Sequence, residues 1–238
     1  MVIYSIMKTN NMNSFSLEGK ENLDVMHLAV KYNQKIFSFF NKDIDKNTQV
    51  LDFGAGFGEF CNRFDNNVEA IEINVLMHAA IRCRTYQSLD EVDKKFDLIY
   101  SSNVLEHIKN DKKIVEQFYE TLNKGGKVRV FLPAKMSIYS KMDEVVGHYR
   151  RYEKDSLIKL FEESGFKVNY CYYFDSLGFF ASWFYNKVNQ TGVVDKRSIV
   201  FYDRVLLPIS LILDKLGFRH IVGKNLVLEA IKQKTSID

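Results

Sequence analysis

A short apolar strand that runs directly into a glycine-rich turn is the feature of this sequence that most constrains its fold. The strand is predicted at residues 49–53, and the turn reads Gly54-Ala-Gly-Phe-Gly58. Glycine lets the backbone approach a ligand closely, and a helix that begins after such a turn points its N-terminus at that ligand. The turn therefore predicts an α/β unit with a ligand site at the carboxyl end of its first strand.

Strand and helix patterns alternate on both sides of this turn. Such alternation is typical of a mainly parallel sheet that is covered by helices on both faces. The predicted elements are helices at 22–40, from the turn to 64, at 75–82, at 110–122 (ended by Gly125 and Gly126) and at 155–164, and strands at 49–53, 68–73, near Thr85, at 96–101, 127–132 and 167–174.

The last third of the chain is built differently. Between residues 170 and 185, nine of sixteen residues are Phe, Tyr or Trp, against 14% aromatic residues in the whole chain. We predict helices at 176–188 and 199–216, followed by a final strand at 225–232. Residues 176–222 then form a helical insertion, or lid, before the last strand.

Charge and cysteine content narrow the function classes. The chain has 33 basic and 30 acidic side chains, for a formal net charge of +3, and the basic residues are dispersed among acids. This distribution does not favour nucleic acid as a partner. The cysteines Cys61, Cys83 and Cys171 are odd in number and lack C-x-x-C spacing, which argues against a disulfide framework and a structural zinc site. We therefore expect no metal and a reducing, cytoplasmic location.

The longest apolar run and the lack of repeats or linkers bear on membrane topology and domain organisation. The longest apolar run, at 205–213, is far shorter than the roughly 20 residues of a spanning helix, so no transmembrane segment is predicted. No repeat or linker divides the chain. We predict a single domain over residues 1–238, in which residues 1–20 form a flexible N-terminal segment.

An acidic residue follows the second predicted strand. Glu72 lies twenty residues after Asp52, where a carboxylate can accept hydrogen bonds from both hydroxyls of a ribose. Enzymes that use a dinucleotide and enzymes that use S-adenosylmethionine share this feature. The dinucleotide pattern G-x-G-x-x-G would need glycine at position 59, where this chain has Glu59. The glycine spacing therefore disfavours a nicotinamide cofactor.

Three segments of the chain resemble the class I S-adenosylmethionine-dependent methyltransferases. They are Leu51-Asp-Phe-Gly-Ala-Gly-Phe-Gly58, Phe96-Asp-Leu-Ile-Tyr-Ser-Ser-Asn-Val-Leu-Glu-His-Ile108 and Leu122-Asn-Lys-Gly-Gly-Lys-Val-Arg-Val-Phe-Leu-Pro133. The resemblance implies a Rossmann-like fold with a central, mainly parallel seven-stranded sheet. It also implies S-adenosylmethionine as the cofactor.

The same resemblance implies roles for individual residues. The glycine turn would pass beneath the methionine part of the cofactor, Glu72 would hold the ribose, and Ile73 would pack on the adenine. The implied cofactor-binding residues are Tyr32, Asp52, Gly54, Ala55, Gly56, Glu72, Ile73, Ser88, Leu89 and Asn103. The frequent aspartate of the adenine loop is replaced here by Gln87 or Ser88.

A second motif lies beyond the fifth long strand. Residues 142–152 are similar to a segment of a bacterial subgroup associated with cell-surface glycan and lipid pathways. The segment combines a histidine, which titrates near neutral pH, with two fixed cations and two aromatic rings. The predicted catalytic residues are His148, as a general base, and His107, and the predicted substrate-binding residues are Tyr149, Arg150, Arg151, Tyr152 and Trp183. The arginines are expected to bind a carboxylate or phosphate, or to pair with Asp143, Glu144 or Glu153.

The sequence thus predicts a methyltransferase that acts on a small-molecule, sugar or lipid-linked acceptor, at oxygen. Two alternatives stay open: a nicotinamide-dependent oxidoreductase, and a methyltransferase-like protein that binds S-adenosylmethionine without catalysis. The insertion is predicted to serve as a lid, a dimer interface or a peripheral membrane contact through 176–216. The oligomeric state is left open.

Overall fold

The structure is a computed structural model that describes residues 27–65, 67–188 and 196–233. The elements alternate much as the sequence predicts. In chain order they are helix α1 (Val30–Phe40), β1 (Val50–Phe53), β2 (Val68–Ile71), β3 (Thr85–Tyr86), β4 (Phe96–Ser102), α2 (Asp111–Thr121), β5 (Leu122–Pro133), α3 (Lys141–Val145), α4 (Lys154–Glu163), β6 (Phe166–Phe174), α5 (Ser176–Val188), α6 (Lys196–Phe201), α7 (Leu207–Lys215) and β7 (Asn225–Lys232). The predicted segment 1–20 lies outside the described residues.

Within the described residues, seven strands form one sheet in the order β3-β2-β1-β4-β5-β7-β6. Strands β1 to β5 pair in parallel, and β7 runs antiparallel between β5 and β6. The predicted Rossmann-like α/β fold with a mainly parallel seven-stranded sheet is confirmed. Because the parallel strands all point the same way, their carboxyl ends lie along one edge of the sheet.

The sheet is buried on both faces, and alternate residues of a strand enter different cores. On β1, Leu51 packs in the cluster that also contains Phe118 of α2 and Phe161 of α4. Val50 packs in the cluster that contains Phe40 of α1. Two apolar cores therefore fix the position of β1 and of the glycine turn that follows it.

Two helix predictions are wrong, because short connections between strands occupy these segments. In place of a helix from the turn to residue 64, the chain makes turns and one 3₁₀ helix at Cys61–Arg63. Gly58, at φ +81°, is outside the right-handed helical region. The predicted helix at 75–82 is likewise a 3₁₀ helix at His78–Ala80. Nε2 of His78 lies 2.6 Å from the Glu72 carbonyl oxygen. This contact holds the connection close to the end of β2.

Other boundaries differ from the prediction. The first helix begins at Val30, and residues 22–26 of the predicted helix lie outside the described residues. Strand β5 begins at Leu122, so Gly125 and Gly126 lie in this strand. The predicted helix at 199–216 starts earlier and is interrupted by a π-helix at Tyr202–Leu206. Pro208 follows this interruption; proline has no amide hydrogen for a regular helical bond, which accounts for the irregular turn before it.

Two buried carboxylates of the insertion, Asp203 and Asp214, accept hydrogen bonds at the beginnings of helices α1 and α5. Asp203 accepts hydrogen bonds from the amides of Lys31 (3.0 Å) and Tyr32 (2.8 Å) in the first turn of α1. Asp214 accepts from the amides of Asp175 (2.8 Å) and Ser176 (3.1 Å) where α5 begins. Free amides and the helix dipole both favour a negative charge at these ends. The N-termini of α1 and α5 are thus held by carboxylates of residues that lie outside these two helices.

In the part of the chain that the structure describes, no helix is both long enough and apolar enough to cross a bilayer.

Candidate functional site

Three segments of the first motif meet at the carboxyl edge of the sheet. The glycine turn follows β1, Glu72 follows β2, and Asn103 follows β4, which pairs with β1 on its other side. The amides of Gly54 and Ala55 both donate to the Ile71 carbonyl, at 2.8 and 3.0 Å. These bonds hold the turn against the end of β2.

The first two glycines of the turn serve different purposes. A Cβ built on Gly54 would lie 2.3 Å from Cγ2 of Val104, so this glycine lets β1 pack against the segment that follows β4. A Cβ on Gly56 would meet nothing within 4 Å. Both have positive φ, at +83° and +56°. Gly56 therefore borders open space that a ligand can fill.

Glu72 organises this open space. Its buried carboxylate accepts hydrogen bonds from the Gly56 amide (Oε2, 2.8 Å) and the Asn74 amide (Oε1, 2.9 Å). A carboxylate has about four acceptor positions, so two remain for hydroxyl donors of a ligand. The carboxylate can accordingly hold both the turn and a ribose.

Asp52 lies beneath the turn and is only 2% exposed. Its Oδ2 has no hydrogen-bond partner among the described residues. Burial raises the pKa of Asp52 to about 7, and the neighbouring Tyr100 hydroxyl acts in the opposite direction. A cationic ligand group close to this oxygen would satisfy it.

We expect Asp52→Asn to stabilise the protein increasingly as the pH rises. The Asp52 carboxyl ionises near its ordinary pKa of 3.8 in the unfolded chain and near pH 7 in the folded protein. As the pH rises from about 4 to 7, the unfolded state loses this proton first, so the stability of the wild type falls. The stability gained by the variant over the wild type should grow by about 2–3 kcal/mol between pH 5 and pH 8. Urea unfolding at several pH values measures this gain. The exposed Asp65→Asn is the control, and a pH-independent difference would contradict the burial argument.

The remaining predicted cofactor residues lie at or near the same edge. Ile73 is half-buried after β2, and Asn103 is exposed after β4 at φ +52°. Ser88 precedes a 3₁₀ helix after β3, in which Leu89 is buried. Tyr32 is buried, and its hydroxyl donates to Oδ1 of Asn225 at 2.7 Å. Its ring meets Phe131 and Phe174 edge to face.

The second motif folds into a polar cluster beyond β5. Nδ1 of His148 lies 2.7 Å from Oδ1 of Asp143. The Arg151 guanidinium donates to both oxygens of Asp143, at 2.8 and 3.1 Å, and Ser140 donates to Oδ2 from its amide and its hydroxyl. Burial opposes ionisation of Asp143, but the hydrogen bonds from His148 and Arg151 prevail and hold its pKa at about 2.

Glu106 and His107 approach this cluster from the segment after β4. Glu106 is fully buried, both of its carboxylate oxygens lack a hydrogen-bond partner among the described residues, and Oε1 lies 3.7 Å from Nε2 of His148. Burial raises the pKa of Glu106 to about 8. The His107 ring packs edge to face on His148 at 4.6 Å between centroids, and burial, followed by the nearby His148 ring, lowers the pKa of His107 to about 4.

The other predicted substrate residues are spread around this cluster. Arg150 pairs with Asp111 at 2.6 Å and donates to the Lys109 carbonyl. Tyr152 is buried and also donates to Asp111, at 2.8 Å. Both arginines of the motif therefore have carboxylate partners, Asp143 for Arg151 and Asp111 for Arg150. Tyr149 and Trp183 are 44% and 46% exposed.

Sequence reasoning did not single out Glu106. Its neighbours in the sequence, Leu105 and His107, gave no sign that its carboxylate would be buried without a hydrogen-bond partner. The side chain that its Oε1 approaches at 3.7 Å, His148, is far away in the chain. The one available signal was the Glu-His pair directly after a predicted parallel strand.

A sequence profile described as a methyltransferase domain matches residues 26–170. This match covers more than half of the chain, and the chain belongs to the methyltransferase-domain family that the profile describes. Together with the Rossmann-like sheet and the glycine turn, it defines a class I S-adenosylmethionine-dependent methyltransferase.

Two relatives match this chain over different lengths. An uncharacterised protein of Methanocaldococcus jannaschii is 30% identical over 195 residues, which are 79% of this chain and 80% of that protein. Phosphoethanolamine N-methyltransferase 3 of Arabidopsis thaliana is 30% identical over 105 residues, which are 37% of this chain and 21% of that protein.

Two solved structures share the fold at low sequence identity. An S-adenosylmethionine-dependent methyltransferase of Thermotoga maritima is 12% identical with a TM-score of 0.60, over 90% of this chain and 95% of that chain. Phosphoethanolamine N-methyltransferase 2 of Haemonchus contortus, in complex with S-adenosylmethionine, is 17% identical with a TM-score of 0.57. That match covers 86% of this chain and about half (53%) of the other.

Proposed function

We propose that this methyltransferase transfers the methyl group of S-adenosylmethionine to an oxygen of a small-molecule, glycan or lipid-linked acceptor. One observation carries the proposal. Val104 packs against Gly54 of the glycine turn, and Glu106 and His107 follow it within three residues. A ligand on the glycine turn and an acceptor at the Glu106, His107 and His148 cluster would therefore be neighbours.

The residues present fit the cofactor. Gly56 borders open space, Glu72 has free acceptor positions, and Asp52 has a buried oxygen without a partner. We assign the ribose hydroxyls to Glu72, the methionine part to Gly54, Ala55 and Gly56, and the amino group to Asp52. Ile73, Ser88 and Leu89 would border the adenine, Asn103 would close the edge of the pocket, and Tyr32 would support it from α1.

The chemistry of the acceptor side follows from the second cluster. S-adenosylmethionine supplies an already activated methyl group, so the protein contributes mainly by holding the acceptor atom in line. A hydroxyl acceptor also has to lose its proton, and His148, oriented by Asp143, and His107 are the groups placed to assist. The likeness of residues 142–152 to a subgroup associated with glycan and lipid pathways supports a glycan or lipid-linked acceptor, with Tyr149, Arg150, Arg151 and Tyr152 shaping its site.

A methyl-transfer assay tests this proposal. The purified chain is first titrated calorimetrically with S-adenosylmethionine and with NAD, and is then given methyl-labelled S-adenosylmethionine with panels of sugars, lipid-linked glycans and phosphoethanolamine. We expect the chain to bind S-adenosylmethionine and not NAD. We also expect the label on an acceptor oxygen, which mass spectrometry locates. Label on the phosphoethanolamine nitrogen would refute the oxygen assignment. Binding without transfer would favour the non-catalytic alternative, and binding of NAD would favour the oxidoreductase.

The insertion is proposed to cover the acceptor side. Helix α5 contacts the 3₁₀ helix at Met136–Ile138, which leads into α3 and the cluster around Asp143. Large apolar side chains of the insertion are exposed. They include Phe180, Trp183, Phe184, Phe201, Val205, Ile209 and Ile212. Such a surface suits an acceptor with an apolar part, including a lipid-linked one held at a membrane.

We expect Trp183→Ala to raise the acceptor KM roughly 10-fold while the Kd of S-adenosylmethionine stays unchanged, because a large aromatic contact is lost on the acceptor side only. Steady-state kinetics with the acceptor from the assay measures the change. Phe218→Ala, an exposed aromatic side chain in the 3₁₀ helix at Phe218–His220 near the end of the insertion, is the matched control. Unaltered kinetics together with unaltered liposome binding would remove both the lid and the membrane role of Trp183.

A further inference from the structure

Three side chains with metal-binding atoms converge beside the proposed acceptor site. They are Glu106, His107 and His148, and one ligand atom from each lies within 4.8 Å of those from the others. Metal–ligand bonds of about 2.0–2.2 Å bring ligand atoms to roughly 3 Å from one another, so small side-chain movements would complete a site. Glu106 is the unusual member, because it is fully buried and both of its oxygens lack a hydrogen-bond partner among the described residues.

The surroundings of His148 are those of a metal ligand. Its Nδ1 is engaged by Asp143, which leaves Nε2 directed towards Glu106 at 3.7 Å. A carboxylate on the far nitrogen is the common way in which proteins orient a metal-binding histidine. Asp143 is in turn held by Arg151 and Ser140. The ring is therefore fixed before any ligand binds.

The Glu106 carboxyl has space for a cation as its partner. A buried carboxylate without hydrogen bonds is costly, so such a group keeps its proton unless a cation is bound beside it. Arg151, the nearby guanidinium, is committed to Asp143 by two hydrogen bonds. The donor set that remains, two imidazoles and one carboxylate, is the set that binds Zn²⁺ or Fe²⁺ and leaves coordination positions open.

We infer that Glu106, His107 and His148 bind a divalent transition-metal ion on the acceptor side of the cofactor pocket. The open positions of such an ion would take the acceptor oxygen and favour the loss of its proton to solvent, as the methyl group passes from the sulfonium to that oxygen and S-adenosylhomocysteine leaves. That role in transfer rests on the proposed function, but metal binding itself does not. A histidine whose Nε2 ligates a metal cannot accept a proton there, so this site and the general-base role predicted for His148 are alternatives.

The sequence led to the opposite expectation, that no metal is bound. His148 is 41 residues from His107, so no metal-ligand spacing is visible along the chain. The sheet brings them together, because the segments after β4 and β5 leave the same edge.

Metal binding is tested on the full chain after removal of bound metals with a chelator. Calorimetric titration with Zn²⁺, and separately with Mn²⁺, should show one site per chain for at least one of the two ions. Glu106→Gln and His148→Gln should weaken binding at least 100-fold, and Asp143→Asn about 10- to 100-fold through its hold on His148. His27→Gln, an exposed histidine outside the cluster, should bind like the wild type.

Measurements on the wild type keep the test independent of how well the variants fold. Zinc should shift the ring resonances of His107 and His148 in nuclear magnetic resonance spectra and leave those of His27 and His220 in place. Absence of a stoichiometric site in the wild type, or unchanged affinity in both ligand variants, would overturn the inference. Methyl transfer that persists without metal would reject only the metal's role, whereas metal binding without transfer to any acceptor would reject only the proposed function.

Discussion

Replacing Glu72 by alanine is expected to weaken S-adenosylmethionine binding by about 10²- to 10⁴-fold. Two ribose hydroxyls would lose a charged acceptor, and each such hydrogen bond contributes roughly 1.5–3 kcal/mol. The variant also releases the amides of Gly56 and Asn74, which the carboxylate holds at 2.8 and 2.9 Å. Loss of the ligand contacts and loosening of the glycine turn therefore act in the same direction.

Calorimetric titration of Glu72→Ala with S-adenosylmethionine measures this loss. Glu69→Ala is the matched control: Glu69 lies on β2, the strand that Glu72 follows, and its carboxylate contacts Lys94 and Tyr86. The control should bind the cofactor like the wild type. A folded Glu72→Ala protein with unchanged affinity would refute the ribose assignment.

The part of the cofactor site that could be predicted is the part that the backbone alone defines. A strand, a glycine turn and an acid at the end of the next strand are local patterns, and the parallel sheet brings Gly56 and Glu72 together without help from distant residues. The connections were harder to predict. The segment at 75–82 has helix-forming residues, but its bond to the Glu72 carbonyl and its early return to β3 leave room for one 3₁₀ helix only.

The acceptor side depends on pairings that the sequence does not display. Both arginines at 150–151 could have faced a substrate, and the prediction left that choice open. The structure pairs Arg151 with Asp143 and Arg150 with Asp111. Once these charges are paired, Glu106 is the carboxylate of this region left without a hydrogen bond among the described residues. Its significance therefore depends on which partners other residues take, and no local pattern carries that information.

Arg129 is a second buried charge that the strand pattern could not explain. It lies on β5 and is 1% exposed, and its Nε donates to Oε2 of Glu229 on the neighbouring β7 at 2.8 Å. Its Nη1 donates to the carbonyls of Phe40 and Lys42, at 2.7 and 2.5 Å, where α1 ends. One guanidinium thus fastens the end of α1 to the sheet, while Asp203 holds its beginning.

We expect Arg129→Met to lower the free energy of unfolding by about 3–5 kcal/mol, because Glu229 would keep its buried charge without its cation. Asn169 and Tyr170 also donate to Glu229, but neither neutralises its charge. Urea unfolding followed by circular dichroism measures the loss. Lys124→Met, an exposed lysine on the same strand, is the control, with an expected change within about 1 kcal/mol. The double variant Arg129→Met with Glu229→Leu should recover much of the stability, since a buried pair replaced as a whole leaves no uncompensated charge. Two results would contradict this prediction: a single variant that loses no more free energy of unfolding than the control, or a double variant that is no more stable than the single one. In either case the guanidinium does not hold α1 in the way its contacts indicate.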